Sequence, residues 1–188
     1  MARTFSTESS ATNLTSAFYL LNFYQLNRNA SKASERTQFK PSELSFEDSR
    51  ALKRAASKLS SFDYSEMENG DNIVSTIQAF AETYNNTIDS TSSKGYDTYR
   101  QNRQLKALTE KYSDELKDIG ITIEDDGKLS VNENILKGSS FDDVKEVFST
   151  ESDYVINVNK IARRIHATSY DEVFAQMTGT GGRVNIAL

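Results

Sequence analysis

The residues best spaced for chemistry are the acids around Gly127. With Gly127 in the sixth place of a calcium loop, Glu124 and Asp126 fall on the third and fifth places, Leu129 on the apolar eighth and Glu133 on the twelfth. Thr122 stands where the first carboxylate should be, and a helix stop at Gly120 breaks the entering helix. Hairpin chemistry accounts for the same residues without a metal and is the preferred reading. His166, the single histidine, lies beside Arg163 and Arg164. It is read as a partner of a helix C-terminal dipole or as a solvated residue, since no second His and no Ser complete a triad with it. Gly179-Thr180-Gly181-Gly182-Arg183 shares only its glycines with a phosphate loop. Arg50, Lys53, Arg54 and Lys58 suggest a phosphate-binding stripe, but a solvated helix face explains them equally and is preferred. Acidic residues are numerous, and composition favours no pair as acid and base. The sequence therefore predicts no enzyme, with no catalytic, cofactor-binding or metal-ligating residues and no cofactor.

Composition narrows the choice further. The 188 residues suit one domain, and with 0 Cys the chain has no disulfide, thiolate nucleophile or zinc-thiolate site. One His removes most hydrolytic and metalloenzyme designs. The net charge of −5 argues against nucleic acid or anionic membrane as a partner. A mean hydropathy of −0.60, with apolar residues recurring along the whole chain, suits an elongated helical domain with much exposed surface. Residues 1–13 are polar and carry no apolar stretch of a cleavable signal, and Ala17–Leu21 is far too short to span a bilayer. No membrane insertion is expected. Export by a route that reads no hydrophobic signal and a cytoplasmic life both stay open.

The elements that would position these groups follow from periodicity. A helix is expected over 13–30, where Leu14, Ala17, Phe18, Leu21 and Tyr24 share a face. After a polar connector closed by Pro41, Ser45 with Asp48 reads as the capping pair of a helix carrying Ala51, Leu52, Ala55 and Leu59. Asn69-Gly70 signals a turn, with Asp71 as the next cap. Ile73, Ile77, Phe80, Ala81, Tyr84 and Ile88 then form the cleanest amphipathic stripe. Past Ser90–Gly95, a helix bears Leu105, Leu108, Tyr112, Leu116 and Ile119 and stops at a left-handed Gly120. For residues 121–131 a three-residue Asp125-Asp126-Gly127 loop sets Ile121 against Val131, Ile123 against Leu129 and Glu124 against Lys128. A two-residue loop would put the apolar residues on opposite faces. Ser140 with Asp143 caps a helix bearing Val144, Val147 and Phe148, and a further helix bears Val155, Val158, Ile161, Ala162 and Ile165. Ser169 with Glu172 reads as a capping box opening a last turn or two. The predicted fold is mainly α, an α+β elongated helical bundle with one small β-hairpin at about 121–131. Its domain runs over 13–177, between a flexible N-terminus at 1–12 and a Gly-rich flexible tail at 178–188.

One order of signals resembles a known family. A helix ends in Phe80-Ala81-Glu82-Thr83-Tyr84-Asn85, followed by Leu116-Lys117-Asp118-Ile119-Gly120-Ile121 and Asp126-Gly127-Lys128-Leu129. A short Leu-bearing helix from Asn132 to Leu136 and a segment with Val144 and Val147-Phe148 complete it. From about 71 to 148 this is similar to the core of the flagellar filament cap protein, hook-associated protein 2. The resemblance implies a bacterial, non-enzymatic structural protein of the extracellular flagellum. Its expected partners are itself, as a homo-oligomer, and other flagellar proteins. The family's middle head domains and long C-terminal coiled coil have no counterpart here. A small cytoplasmic helical adaptor or export chaperone is the alternative. The candidate association surfaces are the helix at 13–30 and the stripe from Ile73 to Ile88.

Overall fold

The computed structural model describes residues 36–64 and 70–178, with side chains from residue 73 onward after the second gap. The helix expected over 13–30 and the Gly-rich segment 179–188 lie outside the described residues. The chain divides between Phe39 and Lys40 into two compact units. In the first, Arg36–Gln38 form a 3-10 turn.

The second unit opens with α1, Pro41–Ser60. Pro41 occupies the first helical position, where its missing N–H costs nothing. The backbone N–H of Lys40 donates to Glu43 Oε2 at 3.0 Å. Helix start and closure therefore fall four residues before Ser45, which corrects the expected Ser45–Asp48 cap. Ser45 is buried inside α1, and its Oγ donates to the Ser42 carbonyl at 3.1 Å. Helix α2, Gly70–Ser90, begins one residue before Asp71, the expected cap. Its stripe Ile73, Ile77, Phe80, Ala81, Tyr84 and Ile88 is wholly buried in the core. Asn102 satisfies the end of that helix, with Nδ2 donating at 2.8 Å to both the Ile88 carbonyl and Thr91 Oγ1.

The helix expected to run through Tyr112 is two helices, α3 (Tyr99–Lys111) and α4 (Ser113–Asp118), broken at Tyr112. Gly120 is left-handed (φ +83°) and its N–H returns to the Lys117 carbonyl at 2.9 Å, as a glycine stop requires. Strands β1 (Ile121–Ile123) and β2 (Leu129–Val131) pair antiparallel, Ile121 with Val131 and Ile123 with Leu129. The Glu124 N–H donates to the Lys128 carbonyl at 2.8 Å, and Gly127 is left-handed (φ +81°). This is the register of the three-residue loop. Because hydrogen-bonded pairs alternate along an antiparallel ladder, the backbone groups of Leu129 face away from β1. The Asn85 side chain meets them there: its Nδ2 donates to the Leu129 carbonyl at 2.8 Å, and its Oδ1 accepts the Leu129 N–H at 2.7 Å. One amide from α2 thus stands in for a third strand.

Helix α5 (Glu133–Gly138) is capped by Asn132, whose Oδ1 accepts from the N–H groups of Asn134 and Ile135. Helix α6 (Phe141–Phe148) is capped by Ser140, which accepts the Asp143 N–H at 3.1 Å. The last element, α7, runs unbroken over Asp153–Thr178. The expected capping box at Ser169 is absent: Ser169 is buried mid-helix, with its Oγ 2.7 Å from Ser45 Oγ. Glu172 Oε1 instead accepts the Asp97 N–H at 3.1 Å. A serine is tolerated inside a helix when its hydroxyl finds a partner, so the same letters describe either case.

Helices α1 and α7 lie antiparallel. Ser42 meets Gln176, Ser45 meets Ser169 and Ser57 meets Asn159, at 2.7–3.1 Å. Small buried residues, Ser45, Ser49 and Ala56 on α1 and Ala162 and Ser169 on α7, allow the close approach. Behind this pair Phe80, Tyr112, Phe148 and Tyr154 pack ring against ring, with centroids 5.2–6.3 Å apart. Each such ring contributes about 1.5–3 kcal/mol by burial. The architecture is a mainly α-helical bundle with one small antiparallel hairpin. Among the described residues no helix is long and apolar enough to cross a membrane.

Candidate interaction surface

The groups singled out for chemistry are spread across the fold. At the hairpin, Asp126 Oδ1 accepts the Lys128 N–H at 3.0 Å and Oδ2 meets the Lys128 ammonium at 3.2 Å. That backbone N–H is the main reason the Asp126 carboxyl sits below its ordinary value. Glu133 pairs with Lys137 at 2.7 Å, one turn along α5. Among the described residues no group of three His, Cys, Asp or Glu is placed to hold a metal. Lys128 faces Glu124 in register, but its ammonium turns to Asp89 at 2.9 Å and to Asp126. The charge pair expected beside the turn is therefore made with α2 instead.

His166 is not at a helix end. It lies in the middle of α7, half-buried, with its ring stacked on Phe46 of α1 (centroids 4.4 Å, planes 29° apart). Burial lowers its pKa first, and the nearby charges of Lys53 and Arg50 lower it further. These neighbours reveal what the sequence left apart. On α1, Phe46, Arg50, Lys53 and Ser57 recur at helical spacing along one flank. On α7, Asn159, Arg163, His166, Tyr170, Phe174 and Met177 do the same. Contacts of Ser57 with Asn159 and of Phe46 with His166 and Tyr170 join the two flanks along one seam.

One half of this seam is basic, from Arg50, Lys53 and Arg163, and ends at an open depression lined by Ser60, Asn159, Lys160 and Arg163. Arg50 reaches Glu47 at 3.6 Å. The other half is apolar and uncovered: Tyr170, Phe174 and Met177 are 40%, 47% and 45% exposed, and the first two rings stack. Large apolar groups are ordinarily buried, so three in a row on one face mark a surface suited to being covered. The stripe from Ile73 to Ile88, expected to associate with a partner, is consumed by the protein's own core. No sequence signal singled out Phe174 or Met177 as exposed, because their spacing continues the α7 pattern.

In comparisons with protein-family models, curated proteins and solved structures, nothing matches this chain.

Proposed function

We propose that this chain is a non-enzymatic structural protein of flagellar or surface assembly that works through protein–protein contacts. The uncovered row Tyr170, Phe174 and Met177 carries the reading, since a partner that covers it removes apolar surface from water. The order of motifs from Phe80 to Phe148 supplies the flagellar part of the proposal, through its resemblance to the filament cap core. Asn85, Gly120 and Gly127 from those motifs hold the hairpin against α2 and α4, a scaffold role rather than a chemical one.

Cell fractionation tests the assignment, comparing flagellated cells with cells unable to export filament subunits. The protein should appear in the filament or the medium only when export works. Retention in the cytoplasm of both would overturn the flagellar assignment in favour of an adaptor or export chaperone.

A further inference from the structure

The geometry points to a binding site for hydrogen phosphate in the depression where the end of α1, the loop between α6 and α7, and the first turns of α7 meet. The depression lies about two turns along α7 from the apolar row on which the protein–protein reading rests.

Three separate stretches of chain line it. Ser60 comes from the last turn of α1, Thr150 from the loop before α7, and Asn159, Lys160 and Arg163 from α7 itself. The cavity holds about 250 Å³. Pockets for drug-sized molecules run to roughly 300–1,000 Å³, so this one suits a single small group.

Its polar groups are of two kinds. Lys160 and Arg163 supply positive charge, and among the described residues no carboxylate lies within ion-pair distance of either. Lys160 Nζ reaches only a neutral amide, Asn157 Oδ1 at 3.4 Å, which leaves its charge uncancelled. Arg163 offers a planar fork for two oxygens of one anion, and Lys160 a point charge beside it. The remaining groups are not simply donors. The Ser60 hydroxyl gives its proton to the Ser57 carbonyl at 3.0 Å, so its oxygen keeps lone pairs for accepting. Asn159 Nδ2 donates to Ser57 Oγ at 2.9 Å, while Asn159 Oδ1 is buried with no hydrogen-bond partner.

Acceptors beside cations select a ligand that carries both negative charge and a proton to donate. Hydrogen phosphate has both near neutral pH. Sulfate and carboxylates carry charge without the proton. Val155 and Ile156 line the rest and belong to the opening turns of α7, whose N-terminus carries a partial positive charge. The exposed Glu151 and Asp153 flank this end in sequence but do not line the cavity. A net charge of −5 opposes a polyanion spread over the surface, whereas a small ion meets only the local field of these groups.

Titration of the full ¹⁵N-labelled chain with sodium phosphate, at ionic strength held constant with NaCl, tests this through amide chemical shifts. Saturable shifts centred on Ser60, Thr150, Asn159 and Arg163 are expected, with a Kd on the order of 1 mM. The double variant K160A/R163A changes two exposed side chains and should melt like wild type while binding at least about tenfold more weakly. R54A, exposed and outside the lining, should bind within about twofold of wild type. Sodium sulfate should bind more weakly than phosphate. Phenyl phosphate separates the two sources of the group: tighter binding than phosphate assigns the site to a phosphoryl group carried on a larger molecule, and weaker binding assigns it to the free ion. Shifts that do not saturate, or that spread equally over Arg100, Arg103 and the other exposed bases, would overturn the site as a mere counterion effect. Binding untouched by K160A/R163A would overturn it too, as would sulfate binding as tightly as phosphate.

Discussion

Asn85→Ala should be among the most damaging single changes outside the apolar core. Its amide makes two hydrogen bonds, 2.7 and 2.8 Å long, to both backbone groups of Leu129. Each is worth about 1 kcal/mol net, and removing the side chain also leaves the N–H and C=O of Leu129 short of partners. Leu129 is 4% exposed while Asn85 is half-buried, so water replaces only part of what is lost. The expected cost is about 2–3 kcal/mol, a large share of an ordinary domain's stability. Asn85→Asp separates the two bonds. It keeps an acceptor for the Leu129 N–H but sets a carboxylate against the Leu129 carbonyl. Its penalty should therefore match that of Ala near neutral pH and shrink below about pH 4, where a protonated carboxyl donates again. Urea unfolding followed by circular dichroism gives the stabilities, and amide exchange at Leu129 reports the edge directly. A loss under about 0.5 kcal/mol for Asn85→Ala, with Leu129 protection unchanged, would refute the idea that this amide replaces a third strand.

Other expectations follow from the same geometry. Gly120→Ala should cost about 2 kcal/mol or more by thermal or urea unfolding, because the left-handed backbone resists a Cβ. That Cβ would also lie 2.8 Å from Ile135 Cβ and 3.0 Å from the Asn132 carbonyl oxygen. Gly127→Ala should cost less, about 1 kcal/mol, since the close neighbour is the flexible Lys106 side chain and only the backbone term remains. Ser169→Ala should destabilise by about 1 kcal/mol, because the cross-helix hydrogen bond is lost while Ser45 keeps its bond to the Ser42 carbonyl. His166 titrates lower in the folded chain than in the unfolded one, so the unfolded state binds more protons. Its contribution to stability should be full above the unfolded value near 6.5 and fade as pH falls toward the folded one. In His166→Gln that part of the pH dependence, measured by urea unfolding at several pH values, should vanish.

How much the sequence revealed depended on how local the physics was. The hairpin register was legible because only one loop length brings Ile121, Ile123, Leu129 and Val131 to a common face, and Gly127 marks the turn. The stripe from Ile73 to Ile88 was legible as a buried face, but periodicity says nothing about who covers it, and here the bundle itself does. Serine misled twice. Ser45 and Ser169 sit at cap-like spacings from Asp48 and Glu172, yet they satisfy each other across two helices 124 residues apart in sequence. Asn85 reaches Leu129 over 44 residues, a pairing that no local pattern encodes. The candidate surface was visible only in pieces. Arg50, Lys53, Arg54 and Lys58 read as a solvated face until α7 sets His166 beside Arg50 and Lys53. Tyr170, Phe174 and Met177 continue a helical pattern whose exposure depends on where the neighbouring helices stop.

The most direct test of the proposed role places a photo-crosslinking residue at Phe174 in living cells, with Lys94, exposed in the loop before α3, as the control position. The account predicts a crosslinked species from Phe174 alone, whose other member is a second copy or a flagellar protein identified by mass spectrometry. No crosslink at Phe174, or equal crosslinking from both positions, would contradict it.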